Sequence, residues 1–219
     1  MDLKDLKKQR ILEEFGIRSD FGRILAFVDF ANVNYWYEND RQTHDRIGLQ
    51  ENEKLTVDLE KLKELLGIIS QDARFYYGHD PRRLQFIQKA QNIFGKNRVF
   101  TKSIRWVRHH LEDREFNTNT RRLFTDNDGK YVLLPKWNFD VEMSVDAIKT
   151  SAYYDTFCLL SSDADFLYLV KYLKQKKGKK VIIIKGGHVI HQLKQVSDLV
   201  INAQDIKKYI TRIKQKPGD

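Results

Sequence analysis

The 219-residue chain carries 39 Lys+Arg against 30 Asp+Glu, a formal net charge of +9, with 41% hydrophobic and 32% charged residues. That length supports one α/β domain or two small ones, each with a real core, and the composition excludes wholesale disorder. No stretch approaches the roughly 18 consecutive apolar residues of a membrane span. The opening MDLKDLKKQRILEEF, broken by charge every second or third position, is not a signal-peptide pattern. A single Cys158 allows no internal disulfide and no Cys-based metal site, which suits a reducing cytoplasm.

In chain order, residues 3–15 read as a short amphipathic helix bounded by Gly16 and Gly22. Ile24 to Phe30 is apolar apart from Asp29, as expected of a strand buried on both faces of a parallel sheet. Residues 39–55 are polar and loop-like. A helix capped by Thr56 or Asp58 then carries Leu59, Leu62, Leu65 and Leu66, and Gly67 is expected to stop it. Arg74 to Tyr77 reads as the second strand. Leu84, Ile87, Ala90 and Phe94 form a helix ended by Gly95, and Arg98 to Val107 is a third strand. Asp126-Asn-Asp-Gly129 signals a hairpin between Arg121–Thr125 and Lys130–Leu134. From Asp140 a helix is expected to show Val141, Val145, Ile148 and Ala152 on one face. Thr156–Leu160 is a fourth parallel strand. Phe166, Leu169, Val170 and Leu173 form a helix closed by Gly178, followed by strands at Val181–Ile184 and Leu199–Ile201. Alternating strands and helices imply a mostly parallel sheet covered on both faces.

Ligands of such sheets bind beyond the carboxyl ends of the strands, where strand order reverses. The first strand ends at Asp29, and Thr156–Leu160 runs into Ser161-Ser162-Asp163-Ala164-Asp165. The intervening helix opens at Asp140 and contains Asp146. Converging carboxylates repel, and a divalent cation relieves that repulsion. All-oxygen ligands favour Mg²⁺ or Mn²⁺ over Zn²⁺. Each acid also has a plainer use: Asp140 and Asp163 as N-caps, Asp165 in a first helical turn, Asp146 on a surface. Asp29, ending an apolar strand, needs a partner. Charge is distributed to match a polyanionic ligand. Residues 82–136 hold 13 Lys+Arg against 5 Asp+Glu and residues 171–185 hold 7 against none, whereas residues 137–170 hold 1 against 6.

AFVDFANV at 26–33, FDVEMSVDAI at 139–148 and LLSSDADFLYLVKYLKQKKGKKVIII at 159–184 together resemble the NYN domain family, and within it the LabA-like branch of the PIN-like nuclease superfamily. Asp29 and Asn32, Asp140 and Asp146, and Ser161 to Phe166 match its three motifs. Ser162 replaces a glycine, and Phe30 also stands where that pattern usually has glycine. The resemblance implies a three-layer α/β/α Rossmann-like PIN-type fold and Mg²⁺- or Mn²⁺-dependent endoribonuclease chemistry that leaves a 5′-phosphate and a 3′-hydroxyl. It implies that Asp29, Asp140, Asp163 and Asp165 hold one or two ions, that Asn32 orients a carboxylate or the phosphate, and that Asp146 supports them or adds a ligand. It spans residues 23–206, leaving 1–22 as a helical extension and 207–219 as a basic tail.

Arg105, Arg108, Arg121, Arg122 and Lys136 are the candidate phosphate contacts, with solvated hairpin surface as the alternative. Tyr35-Trp36-Tyr37 could stack bases or complete a core. His109-His110 and His188/His191 offer weaker catalytic or zinc readings. A dehalogenase-type phosphatase needs an acid two residues after its strand-end aspartate, where this chain has Ala31. RNA is the expected partner. A catalytically silent RNA-binding or regulatory protein is the rival reading, and a nuclease for structured DNA and a homodimer both stay open.

Overall fold

The computed structural model describes residues 3–79, 84–111, 123–136 and 138–215. Six parallel strands form the central sheet: β1 (Ile24–Asp29), β3 (Asp72–His79), β4 (Val99–Ser103), β8 (Thr156–Leu160), β9 (Lys180–Lys185) and β10 (Leu199–Asn202). Their spatial order is β10-β9-β8-β1-β3-β4. The chain builds outward from β1 in one direction, then returns to its other side with β8. Strand order therefore reverses between β1 and β8, whose neighbouring residues pair from Ile24↔Thr156 to Val28↔Leu160.

Alternation along the strands divides the apolar side chains into two cores. Ala26 and Val28 face one, and Leu25 and Phe27 face the other. The first core receives α1 (Leu3–Glu14), α3 (Leu59–Ile69), α4 (Gln85–Phe94) and α8 (Ala203–Ile210) through Ile11, Leu62, Ala90 and Ile206. The second receives α5 (Asp140–Lys149), α6 (Leu167–Lys177) and α7 (His191–Val196) through Met143, Val170 and Leu193. The result is the expected three-layer α/β/α arrangement. A four-residue helix, α2 (Phe30–Val33), follows β1 directly. Among the described residues no helix is long and apolar enough to cross a membrane.

Several local expectations hold. Asp58 caps α3, accepting from the N–H groups of Glu60 and Lys61 at 2.9 and 3.2 Å. Gly178 ends α6 in the left-handed conformation, with φ of 62°. Cys158 is fully buried in the sheet, and burial pushes its thiol up to about 12. Others change. Gly67 does not stop α3, because the apolar stripe continues to buried Ile69, and that burial outweighs the roughly 1 kcal/mol disadvantage of a helical glycine. The single strand expected over Arg98–Val107 is two. β4 pairs with β3, while β5 (Arg105–His110) joins β6 (Leu123–Asp126) and β7 (Gly129–Lys136) in a separate antiparallel sheet ordered β5-β7-β6. The loop expected over 39–55 ends in β2 (Glu53–Val57), which pairs with β11 (Thr211–Gln215). His188 lies before α7 and His191 is its first residue, so the two do not share a helix.

The face of α5 also differs. Val141 is 72% exposed, while Phe139, Met143 and Ala147 enter the core. The helix is rotated by charge as well as packing. Asp146, on its inner side, accepts from Arg74 Nη1 at 2.6 Å and from the Tyr76 hydroxyl, both on β3. Tyr76 is correspondingly held above its ordinary pKa, chiefly by burial and then by this carboxylate. Arg74 and Asp146 side chains are only 17% and 19% exposed, so removing one leaves the other charge poorly solvated. Arg74→Met is expected to cost about 3 kcal/mol of unfolding free energy. The double variant Arg74→Met/Asp146→Leu is expected to recover much of it, as read by urea denaturation.

Candidate metal centre at the switch point

The cleft of about 210 Å³ above the β1–β8 junction is lined by Asp29, Ala31, Asn32, Asn138, Phe139, Asp140 and Asp163. Three separate segments deliver these residues. Asp29 is the last residue of β1 and the N-cap of α2, so its Oδ1 accepts from the Asn32 N–H at 3.4 Å. Asp163 follows β8 and caps the next turn, accepting from the Asp165 N–H at 3.0 Å. Asp140 is the first residue of α5, and its own N–H is taken by Asn138 Oδ1 at 2.7 Å. It is not the N-cap of that helix; Phe139 occupies that position without a side-chain cap.

Asp140, Asp163 and Asp165 each present a carboxylate oxygen within 4.8 Å of the others'. Asp165 is exposed at the rim, and the other two are half-buried. Burial raises Asp29 to about 6 from an ordinary 3.8; the Ser161 and Asn32 hydrogen bonds oppose this, and the charges of Asp140 and Asp163 reinforce it. Asp140 is likewise raised, first by burial and then by Asp163 and Asp165, against the hydrogen bond from Asn138. Lys102, whose charge draws Asp140 down, bonds Glu142 at 2.7 Å, and Arg74 bonds Asp146. Asp140 Oδ2 is buried and has no hydrogen-bond partner among the described residues. An unpartnered buried carboxylate oxygen beside two further carboxylates is a donor set that a hard divalent cation satisfies. Asp146 does not join this group; it is held by Arg74 and Tyr76.

A second layer of contacts fixes the cleft walls. Ser161 Oγ donates to Asp29 Oδ2 at 3.0 Å and accepts from the Asp163 N–H at 3.2 Å. Asn32 Oδ1 accepts from Trp36 Nε1 at 2.9 Å and from the Ser162 N–H at 3.3 Å. Trp36 in turn packs against Gly186 after β9, where a Cβ would fall 2.2 Å from the indole ring. Asn138 and Gly186 are not legible as site residues from the sequence, and Trp36, a candidate for base stacking, instead bonds Asn32. Ser161 opens the matched motif, between β8 and the Asp163–Asp165 pair. Within the aromatic run, Trp36 orients Asn32, while Tyr37 is buried and donates to the Ala203 carbonyl at 2.6 Å.

The basic candidates separate. Arg108, on β5, donates to Asp126 at 3.2 Å and lies 5.2 Å from the Tyr131 ring centre. Arg105 and Lys136 are register partners across β5 and β7. Arg121 and Arg122 lie outside the described residues. His110 meets Asp126 at 3.0 Å, which holds that carboxyl below its usual range.

Comparison with known proteins agrees with this architecture. The chain matches the NYN domain over residues 23–207. It is 26% identical over 110 residues to the low amplitude and bright protein LabA of Synechococcus elongatus, an alignment covering 49% of this chain and 59% of that protein. The chain thus spans about three-fifths of the length of this curated relative. A crystal structure of a protein of unknown function from Vibrio parahaemolyticus superposes with a TM-score of 0.54 at 21% identity, covering 88% of this chain and 99% of that one, and so shares its fold. The six-stranded parallel sheet, the acids at its switch point and the match across the sheet's residues lead to one conclusion: the chain belongs to the NYN domain family.

Proposed function

We propose that this protein is a Mg²⁺- or Mn²⁺-dependent endoribonuclease of the cytoplasm. The observation that carries the reading is the unpartnered, buried Asp140 Oδ2 beside Asp163 and Asp165. A protein that only bound RNA would gain nothing from crowding carboxylates where phosphates approach, since they repel the ligand. Asp140, Asp163 and Asp165 would hold the ion, and Asp29 lines the same cleft. When bound, the ion neutralises phosphodiester charge and lowers the pKa of water. Asn32 contributes through its amide: with Oδ1 taken by two N–H donors, its NH₂ is left to hold a phosphate oxygen in the cleft that Asn32 lines. Ser161 keeps the Asp29 and Asp163 carboxylates in register. Asp146 acts at a distance, tying α5 to β3 so that Asp140 faces the cleft. The basic blocks at 82–136 and 171–185 attract the polyanion.

Labelled single-stranded and hairpin RNA and DNA, incubated with Mn²⁺, Mg²⁺ or EDTA, test this. Cutting of RNA is expected with either ion and none with EDTA. Asp140→Asn and Asp163→Asn are each expected to lower the rate at least about 100-fold. Cutting that survives EDTA or these changes overturns the metal mechanism. Binding without cutting favours the silent RNA-binding reading, and cutting of DNA alone transfers the activity to that substrate.

A second expectation concerns pH. In chelator, the folded-state pKa of Asp29, about 6, exceeds its ordinary 3.8, so the native state holds the extra proton. Stability is then fully present at low pH and is lost as pH rises toward neutrality. From about pH 4 to about pH 7, wild type is expected to lose about 2 kcal/mol more than Asp29→Asn, and Mn²⁺ to restore it. Paired urea denaturation curves measure both.

The third concerns Trp36. Gly186→Ala pushes the indole from its seat and breaks its bond to Asn32. A fold intact by circular dichroism, a shifted tryptophan emission and a loss of roughly 100-fold in kcat/KM are expected.

A further inference from the structure

A groove of about 440 Å³ lies beside the metal cleft and shares a chain segment with it. Asn32 lines the cleft and Asn34 lines the groove, so at most about 7 Å of backbone separates them. The groove's apolar wall is aromatic: Tyr35, which is 51% exposed, with Tyr77 and Phe86. Tyr77 and Phe86 rest on Phe30, their ring centres 5.5 and 5.3 Å from its own, and Phe30 is itself 1% exposed. The opposite wall is the β2–β11 ribbon, which supplies Lys54, Arg212 and Lys214. Glu38 is the acid of the groove, and Arg212 is paired with Asp58 at 3.4 Å.

The two lysines are the informative feature. Lys54 and Lys214 are direct register partners across the antiparallel ribbon, a placement in which like charges destabilise the pair. Neither side chain has an ion-pair or hydrogen-bond partner among the described residues. Facing aromatic rings across a groove of nucleotide size, such a pair is stabilised by an anion set between the ammonium groups.

We infer that this groove holds an unpaired nucleotide adjoining the scissile phosphate, its base on Tyr35 and its phosphate between Lys54 and Lys214. The inference rests on the nuclease reading for the identity of the strand, and it makes that substrate locally single-stranded. A paired base is stacked within a duplex and cannot turn its face onto Tyr35. RNA and DNA single strands share the chemistry of base face and phosphate.

The test is fluorescence anisotropy in EDTA, so that nothing is cut, with labelled oligouridine, its deoxy counterpart, an abasic strand of equal length and a blunt duplex. Tyr35→Ala is expected to weaken binding of the base-bearing single strands about tenfold, leaving the abasic strand and the duplex unchanged. The double variant Lys54→Gln/Lys214→Gln is expected to flatten the dependence of log affinity on log salt by about 0.7 to 1.4. Lys96→Gln, at the opposite end of the sheet, is expected to change neither. Folding is checked by melting, and exposed Tyr35 gives a variant without a core defect. Unchanged binding by Tyr35→Ala, or an equal loss on the abasic strand, overturns the inference, as does a lysine effect no larger than that of Lys96→Gln. The ribo and deoxy strands identify which sugar is preferred. If Tyr35 and the lysines govern binding but Mn²⁺ elicits no cutting, the groove stands and the nuclease reading falls. If the protein cuts but its variants bind as wild type, the groove falls alone.

Discussion

Crowded negative charge at the carboxyl edge of the sheet governs much of the structure around it. Three carboxylates meet above the β1–β8 junction, Asp29 in the same cleft is raised by burial, and Arg74 and Lys102 bond other acids. Such a cluster survives folding only if its surroundings hold it rigidly, because each group gains by moving apart from the rest. Ser161 bridges two of the walls. The Arg74–Asp146 pair sets the rotation of α5. The contact from Gly186 through Trp36 to Asn32 carries the position of the β9 loop into the cleft. Each is a fixed contact that opposes the relaxation charge repulsion would cause.

The sheet was readable in the sequence because buried parallel strands are nearly uniform in apolar character. Ile24–Asp29, Thr156–Leu160 and Lys180–Lys185 lie where that pattern places them. The acids were readable for a related reason: Asp29 and Asp163 interrupt or follow apolar runs at positions where polarity needs a cause. What escaped depends on partners distant in sequence. β4 and β5 are continuous in pattern, and only a change of pairing partner divides them. β2 looks like loop because its mate, β11, lies about 150 residues away. α5 offers two comparable apolar faces, and an ion pair with β3, invisible locally, decides between them. Asn138 and Gly186 carry no local mark of their role.

Phe30 shows how a departure from a family pattern can acquire a purpose. Its side chain turns away from the cleft into the core, so it does not narrow the approach to the acids. Instead it underlies the aromatic wall of the neighbouring groove. The residue that follows the strand-end aspartate thus links the interior packing of the first core to the surface beside the acidic cleft.

The β2–β11 ribbon also sets an order of events during synthesis. Its strands pair residues 53–57 with 211–215, a contact of very long sequence separation that forms late because so much chain must first be ordered. The acids of the cleft lie on segments that end at Asp165, and the seat of Trp36 is completed by Gly186, so all of them precede β11 in the order of synthesis. A nascent chain therefore holds the parts of the acidic cleft before it holds the lysine-bearing wall beside it.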